Sequence, residues 1–441
     1  MLTLFLKECK TICKSIIYLV FICAMILFYL TQYSEVAELN IKQYYTNEEY
    51  YTGSLLNNPL IKPQEGAESY GVRYAEIPEK VMPEIMMWLA MNWKQNYYTT
   101  YNFIGIGRLV ENQNEKKQAE IAQIILDITG IDADEVYNIY NNKLLESSQN
   151  NLRAIDFSDV IPIQVTYGEY KEKMKQVDKI LGGKYGESNF QSHGAVPLTY
   201  EEALAEYDAF INEDKITGAY ARLFCDYMMI IAGMLSVFIP VAFILRDKRA
   251  KTHEIIFSRD ISSIKFILSR YAALVIMMII PFLALSLIQS LQLIEFAVKN
   301  NLPVDIFAFV KYVTAWILPT LMTTTAVAFL ITTITDTPVA IAVQFVWSFI
   351  NLLTGAFSAM ASGTGSLIHY GMNLIIRHND LRSLQFYKDN LSQLIVNRTF
   401  YTILSIILVT LTIFIYEQKR RGEIDVRGSL RKIFRNRKSA G

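Results

Sequence analysis

Six long apolar runs constrain the fold of this 441-residue chain more than any other feature. A helix needs roughly 20 apolar residues to cross the ~30 Å hydrocarbon core of a bilayer. The runs are apolar on every face rather than along one stripe, which argues against six buried helices of a soluble protein. They occupy residues 15–33, 223–245, 266–291, 310–334, 338–360 and 400–416. The sequence therefore predicts an α-helical polytopic membrane protein with six transmembrane helices.

The zero net charge of the chain is the sum of two opposite biases. Residues 33–222 hold 29 acidic and 17 basic side chains, whereas the rest of the chain holds 13 acidic and 25 basic ones. Lys and Arg collect on the cytoplasmic side of membrane helices. Here they cluster before the first run, between the second and third runs, and after the sixth. Six spans place these three segments on one side, so we expect both termini in the cytoplasm.

The segments outside the spans are predicted as follows. Residues 1–14 form an amphipathic cytoplasmic helix at the membrane interface, because Lys7, Lys10 and Lys14 oppose an apolar stripe. The others are an extracellular domain at 34–222, a cytoplasmic strip at 246–265, an extracellular interfacial loop with short helices at 361–399, and a basic cytoplasmic tail at 417–441.

The extracellular domain is predicted to have a mixed, mainly helical α+β fold. The prolines Pro63, Pro78 and Pro83 indicate irregular structure near its start, and residues 161–167 have the pattern of a strand. Helices are expected to end at Gly130 and at Gly182, and a capping box of Thr199 with Glu202 begins a further helix. None of the four cysteines lies in residues 33–222, so no internal disulfide is expected there.

The motifs that would indicate catalysis are missing. The sequence has no Gly-x-x-x-x-Gly-Lys-Ser/Thr loop for a nucleotide, no His-Glu-x-x-His zinc pair and no Gly-x-Ser-x-Gly elbow. We therefore expect no catalytic residue, no metal site and no cofactor in this chain, and no nucleic-acid partner.

Polar residues inside the spans are the candidates for a transport pathway. Asp226 lies near the outer end of the second span, and Gln344, Ser348 and Asn351 share one face of the fifth. This stripe fits helix packing and conduit lining equally well. The many threonines of the fourth span are interpreted as helix–helix packing residues.

The cytoplasmic strip contains a short motif that opens with a basic turn. Its residues are Thr252, Glu254, Ile255, Ile256, Phe257, Ser258, Ile261 and Ser262, followed by Arg270. The motif resembles one in the permease subunits of ATP-binding-cassette type-2 transporters, which have a basic turn, Gly-Thr-x-Glu, an apolar run, Ser-Thr-Pro-apolar-Ser, and then a basic residue opening the third span. Lys251 and Asp260 stand where that family has glycine and proline.

The resemblance implies that the strip is a coupling helix that binds a separate cytoplasmic ATPase dimer. That partner would bind ATP and Mg²⁺ and drive export of an unidentified substrate, namely a peptide or antibiotic, a drug, a lipid or a cation. The chain would pair with a second permease, identical or different, in contact with membrane lipid. The expected location is the plasma membrane of a bacterium.

Two other functions remain open at this stage. The large external domain also fits a membrane-anchored receptor or secretion-apparatus component that transports nothing. It also fits an ABC mechanotransmission subunit, which uses ATP to move its external domain. Such subunits usually have four spans, whereas six are predicted here.

Overall fold

The computed structural model describes residues 1–46, 58–67, 70, 72–74, 77–101, 107–150, 160–185, 195–250, 261–362, 373–376, 381 and 384–422. The chain divides into two compact units. The first, which we call the membrane unit, comprises Met1–Lys62, Leu204–Leu352 and Tyr370–Gly441. The second, the inserted unit, comprises Pro63–Ala203 and Leu353–His369.

In the described residues the elements follow one another in this order. The helices are α1 (Leu2–Cys13), α2 (Ile16–Phe28), α3 (Glu35–Thr46), α4 (Pro78–Gln95), α5 (Glu115–Thr129), α6 (Ala133–Asn150), α7 (Tyr167–Leu181), α8 (Tyr200–Asp208), α9 (Lys215–Met234), α10 (Phe238–Arg249), α11 (Ser263–Lys299), α12 (Ala308–Tyr312), α13 (Leu318–Thr335), α14 (Val339–Ser362), α15 (Leu384–Asp389) and α16 (Leu391–Arg420). The π-helical segments Tyr29–Ser34, Ala209–Asp214 and Val313–Ile317 join α2 to α3, α8 to α9 and α12 to α13. The strands are β1 (Val72–Tyr74), β2 (Tyr97–Tyr101), β3 (Gly107–Glu111) and β4 (Ala195–Pro197).

Five helical stretches of the described chain are long and apolar enough to cross a membrane. They are Ile16–Ser34, Tyr200–Arg249, Ser263–Lys299, Ala308–Thr335 and Leu391–Arg420. These coincide with five of the six predicted spans. The remaining one, predicted at 338–360, falls on α14, whose apolar part Val339–Leu352 is shorter, so six spans stay a prediction.

The connection before the last helix differs from the sequence prediction. Helix α16 begins at Leu391 rather than at residue 400. Leu374, Ile375 and Ile376 are buried, whereas the sequence predicted a loop lying on the outer membrane surface. Apolar side chains in this loop gain more by burial among the spans than by partial exposure at an interface.

Helix α9 stops at Met234, and α10 starts four residues later. The Ser236 hydroxyl donates a hydrogen bond to the Ala232 carbonyl, and Pro240 has no N–H to continue the helical ladder. At the break, a Cβ added to Gly233 would lie 2.6 Å from Ile375 Cδ1. Glycine is therefore required for the close approach of the 373–376 segment to this helix.

The inserted unit has a helical core with two small antiparallel sheets. Helices α4 to α7 bury apolar faces against each other, with Val81, Ile125, Val136 and Val177 fully buried. Strand β1 pairs with β4, and β2 pairs with β3 in the register Tyr98 to Val110. The described part of this unit is thus mainly helical with some sheet.

Two predictions for this unit were wrong. Pro78 and Pro83 lie in helix α4 rather than in irregular structure, because proline is tolerated in a first turn and the buried face of α4 offsets one lost hydrogen bond. Residues 161–166 are not a strand: the Gln164 amide instead donates to the Ile128 carbonyl (2.8 Å).

The predicted helix ends in this unit are confirmed. Gly130 and Gly182 end α5 and α7 with φ of 75° and 74°, which glycine adopts without strain. Before α8, the Glu202 amide donates to Thr199 Oγ1 (3.2 Å) and the Thr199 amide donates to Glu202 Oε2 (3.0 Å), as the capping box requires.

Candidate functional site

The two flanks of the strip at 246–265 are described, whereas residues 251–260 between them are not. Ile261 and Ser262 are both exposed, and Ser262 Oγ accepts a hydrogen bond from the Lys265 amide (3.4 Å), which caps the start of α11. The other predicted coupling residues, Thr252, Glu254, Ile255, Ile256, Phe257 and Ser258, lie outside the described residues.

Four charged side chains join both flanks of the strip to the first helix. We call Glu8, Arg246, Asp247 and Arg270 the flank cluster. Arg270 on α11 contacts Asp247 Oδ2 (2.7 Å) at the end of α10 and Glu8 Oε1 (3.1 Å) on α1. Arg246 lies 3.9 Å from Glu8 Oε2 and 3.5 Å from Asp247 Oδ1. One guanidinium therefore links three helices.

The centre of the flank cluster is shielded from solvent. The side chains of Arg270 and Glu8 are 7% and 9% exposed, and the Arg270 guanidinium lies 4.5 Å from the centre of the Phe266 ring. Burying a charge is costly unless it is paired and hydrogen-bonded. Arg270 satisfies this condition with two carboxylates, so the arrangement has one strongly preferred geometry.

The end of the last helix joins the same region. Arg420 donates to the Ile261 carbonyl (2.7 Å), and Phe266 stacks on Tyr416 with ring centres 5.4 Å apart. The Ser263 hydroxyl donates to Glu417. A displacement of residues 261–266 is thereby passed to α16 as well as to α11.

A second charged contact lies at the turn between α13 and α14. Asp336 Oδ2 forms ion pairs with Lys248 Nζ (2.7 Å) and Lys419 Nζ (3.1 Å). Lys419 also donates a hydrogen bond to the Ile334 carbonyl (3.3 Å). Burial by itself raises the pKa of Asp336. The hydrogen bond from Lys248 and the charge of Lys419 outweigh this effect, and the net pKa is below the ordinary value of 3.8.

We expect Asp336→Asn to destabilise the membrane unit by about 1 kcal/mol at pH 7, the upper end for partly exposed ion pairs. The pKa is lower in the folded chain than in the unfolded one, so this stabilisation is present above pH ~4 and is lost as the pH falls through the folded-state pKa. Thermal unfolding in detergent between pH 7 and pH 3 measures it: the difference from wild type should shrink in acid. Asp389→Asn, at an exposed position, is the control, and a difference independent of pH would contradict the assignment.

The polar stripe on α14 contacts the break between α9 and α10. The Gly233 carbonyl, in the last turn of α9, accepts hydrogen bonds from Gln344 Nε2 (2.7 Å) and Ser348 Oγ (3.0 Å). Asn351 Oδ1 accepts from the Leu374 amide (2.6 Å). Carbonyls at a helix end lack donors within the helix, and the stripe supplies them. Gln344, Ser348 and Asn351 are thus brought together in helix packing.

Asp226 is fully buried in α9, about two turns before Gly233 and so on the same side of the helix. Its burial fits a place inside the helix bundle rather than at the lipid-exposed outer boundary. Whether Asp226 or the Gln344 stripe lines a pathway stays a prediction. The threonines of α13 do pack against neighbouring helices, for example Thr323 Oγ1 on the Tyr401 carbonyl (3.0 Å) and Thr324 against Ser236 (2.9 Å).

Arg398 holds the buried 373–376 segment in place. Its guanidinium donates to the carbonyls of Trp316 (3.2 Å), Asn373 (3.3 Å) and Leu374 (3.2 Å) and to the Asn397 side chain. Its side chain is buried, and within the described part of the chain all its hydrogen bonds go to neutral oxygens. The rigid fork of a guanidinium suits this task because it carries five donors.

Sequence reasoning missed Glu8 and Arg398 as functional candidates, although each has a signal. Glu8 is the only acidic residue in the first 34 positions and lies among lysines. Arg398 is a lone cation whose neighbours on one helical face, Leu394, Tyr401 and Ser405, are all buried. An isolated charge on an otherwise apolar face indicates a buried partner.

Long apolar helices with charged contacts near their ends, and a large insertion after the first apolar helix, are typical of a polytopic membrane protein. Residues 2–416 match the family described as ABC-2 family transporter protein, so the chain belongs to that family. Membership implies association with an ABC ATPase. No curated protein and no solved structure matches the chain.

Proposed function

We propose that this chain is the permease subunit of an ABC exporter and that the strip at 246–265 is its coupling helix, with the docking residues at 252–262. A separate cytoplasmic ATPase dimer binds ATP and Mg²⁺, docks on the strip and drives export of a peptide, drug, lipid or cation. The chain works with a second permease, with both termini in the cytoplasm of a bacterial cell and residues 34–222 outside.

The flank cluster is the observation that carries this proposal. A docking helix is useful only if its displacement reaches the membrane helices, and rigid contacts transmit displacement well. Arg270 binds Asp247 at the start of the strip and Glu8 on α1, while Arg420 binds the Ile261 carbonyl near the end of the strip. A push on the strip therefore moves α1, α10, α11 and α16 together.

Variants in the strip test the coupling role. We expect Glu254→Lys and Ile256→Asp to abolish transport in proteoliposomes that contain the ATPase co-purified with the tagged chain, because the first reverses a charge and the second removes an apolar anchor. ATP hydrolysis by the partner should continue, but its rate should no longer change when substrate is added. Lys265→Glu, at an exposed position of the strip outside the docking residues 252–262, is the matched control.

Two results would reject the proposal. One is normal transport by both strip variants. The other is consistent absence of any ATPase when the tagged wild-type chain is purified in mild detergent. Variants that lose the ATPase entirely, with Lys265→Glu retaining it, would place the docking contact itself in the strip.

A mechanotransmission role is the second candidate, and the helix lengths favour it. Helix α11 (Ser263–Lys299) has 37 residues, about 55 Å at 1.5 Å per residue, well beyond a ~30 Å hydrocarbon core. It begins at the end of the strip, so a movement of the strip acts directly on a helix longer than the hydrocarbon core is thick. ATP-dependent movement of labels in residues 63–203, without substrate passage into vesicles, would favour this function over export.

A further inference from the structure

A cavity of ≈ 210 Å³ lies beside the flank cluster, where α1, α10, α11 and α16 come together. Its lining combines charged groups with apolar ones. The lining residues are Leu4, Glu8, Arg246, Asp247, Ile261, Phe266, Arg270, Tyr416 and Arg420. The charged groups among these residues are three arginines and two carboxylates.

Two polar groups of this wall are not used within the described part of the chain. Glu8 Oε2 is buried and has no hydrogen-bond partner there. Arg246 reaches Glu8 and Asp247 only at 3.9 Å and 3.5 Å, beyond ordinary hydrogen-bond length, while its side chain is 41% exposed. The wall thus presents an unused acceptor next to unused donors, and a buried acceptor without a donor is destabilising until a ligand supplies one.

The cavity lies where apolar helices end, and lipid head groups surround the ends of membrane-spanning helices. Arg246 and Arg420 occupy the last turns of α10 and α16, directly after their apolar stretches. Leu2 and Leu6 on the adjoining helix α1 are exposed apolar side chains, which suit the boundary between head groups and acyl chains. A phosphate at this depth is attracted to paired arginines.

We propose that this cavity binds the head group of an aminophospholipid. The phosphate contacts Arg246 and Arg420, and the primary ammonium donates a hydrogen bond to Glu8. A head group with a phosphate but no amine would place two anions, the phosphate and the Glu8 carboxylate, side by side, and Glu8 would still lack a donor. A quaternary choline head group has no N–H donor, so the site distinguishes ethanolamine from choline.

The first test needs no variant. The full chain is placed in nanodiscs with equal amounts of phosphatidylethanolamine and phosphatidylcholine of identical acyl chains, released into the gas phase, and its retained lipids are counted by native mass spectrometry. We expect the ethanolamine lipid to be retained several-fold over the choline lipid. Equal retention would overturn the proposal.

Variants then locate the site. Glu8→Gln should remove the preference for ethanolamine, and Arg246→Gln should lower retention of both lipids. Arg249→Gln, three residues further along α10 and outside the cavity lining, should change neither. Leu4→Trp fills the cavity without altering a charge, so it should also abolish the preference; an unchanged preference in Leu4→Trp would place the lipid elsewhere and overturn the proposal.

The same measurement separates a lipid from a soluble ligand with the same chemistry. Glycerophosphoethanolamine has the head group without acyl chains. We expect it not to displace the lipid at equal concentration, since the apolar surface around Leu2 and Leu6 contributes to binding the acyl chains. Full displacement would overturn the lipid assignment in favour of a soluble phosphoethanolamine compound.

Discussion

Arg270→Gln is expected to destabilise the membrane unit by about 3–5 kcal/mol, the cost of removing one partner from a buried ion pair. The substitution leaves Glu8 without its 3.1 Å contact and Asp247 without its 2.7 Å contact. Because Glu8 is 9% exposed, water from the adjoining cavity replaces the lost guanidinium only in part. Thermal unfolding of the purified chain in detergent, followed by tryptophan fluorescence, measures the loss.

Two comparisons distinguish an unpaired charge from lost packing. Lys265→Gln, an exposed position on the same helix, should cost a few tenths of a kcal/mol at most. Glu8→Met combined with Arg270→Met removes both charges of one pair, and replacing a buried ion pair by apolar groups is often close to neutral. The double variant should therefore be more stable than Arg270→Gln. If it is less stable, the cluster stabilises the fold by packing rather than by compensating charges.

The same variants report on coupling. In the double variant α1 no longer follows the strip through an ion contact, although the fold is retained. The amount of substrate transported per ATP hydrolysed should then fall, because part of the displacement of the strip is not passed to α1. Loss of stability and loss of coupling are thus separated by one pair of substitutions.

The sequence predicted the spans well because apolar length is a local property. Five predicted spans coincide with helices of the described chain. The caps at Gly130 and Thr199 were predictable for the same reason, since each depends on three or four neighbouring positions.

The parts that were not predicted depend on contacts between distant segments. Arg270 was recognised only as the basic residue that opens the third span, and its partner Glu8 is 262 residues away. Pro83 suggested irregular structure because the burial of α4 against the rest of the inserted unit cannot be read locally. Tertiary packing overrides local preference in both cases.

The polar stripe of the fifth span shows the same limit. Its spacing predicted that Gln344, Ser348 and Asn351 share a face, but not what that face contacts. The contacts are the Gly233 carbonyl and the amides of residues 374 and 375. The segment that supplies those amides has no helical pattern and was predicted as a surface loop.

Arg398→Met is expected to loosen this segment. Without the guanidinium, the Trp316 carbonyl loses a donor at 3.2 Å, while the carbonyls of Asn373 and Leu374 retain Asn397 Nδ2 (3.1 Å) and Thr320 Oγ1 (3.2 Å). Each of the three carbonyls thus loses a charge-assisted hydrogen bond. The substitution also removes a buried positive charge, and this by itself stabilises the folded state. Several charge-assisted hydrogen bonds at ~1.5–3 kcal/mol each outweigh that stabilisation, so the net effect is destabilising.

Hydrogen-exchange mass spectrometry on peptides that include residues 373–376 measures the loosening directly. The amides of Leu374 and Ile375 are bonded to Asn351 Oδ1 at 2.6 Å and 3.2 Å, so they should exchange slowly in wild type and faster in Arg398→Met. Arg398→Lys keeps the charge but not the fork of five donors, and it should give an intermediate rate. Lys388→Met, which removes an exposed ion contact to Glu213, is the matched control and should leave these amides unchanged.

The two substitutions of Arg398 decide between charge and geometry. If the cost of burying the cation exceeded the gain from its hydrogen bonds, Arg398→Met would be more stable than wild type and Arg398→Lys less so. If the geometry of the hydrogen bonds matters more, both variants exchange faster, with methionine the more severe. We expect the second outcome, because six of the contacts to Arg398 nitrogens lie between 2.5 and 3.3 Å and converge from α13, α16 and the 373–376 segment on one side chain.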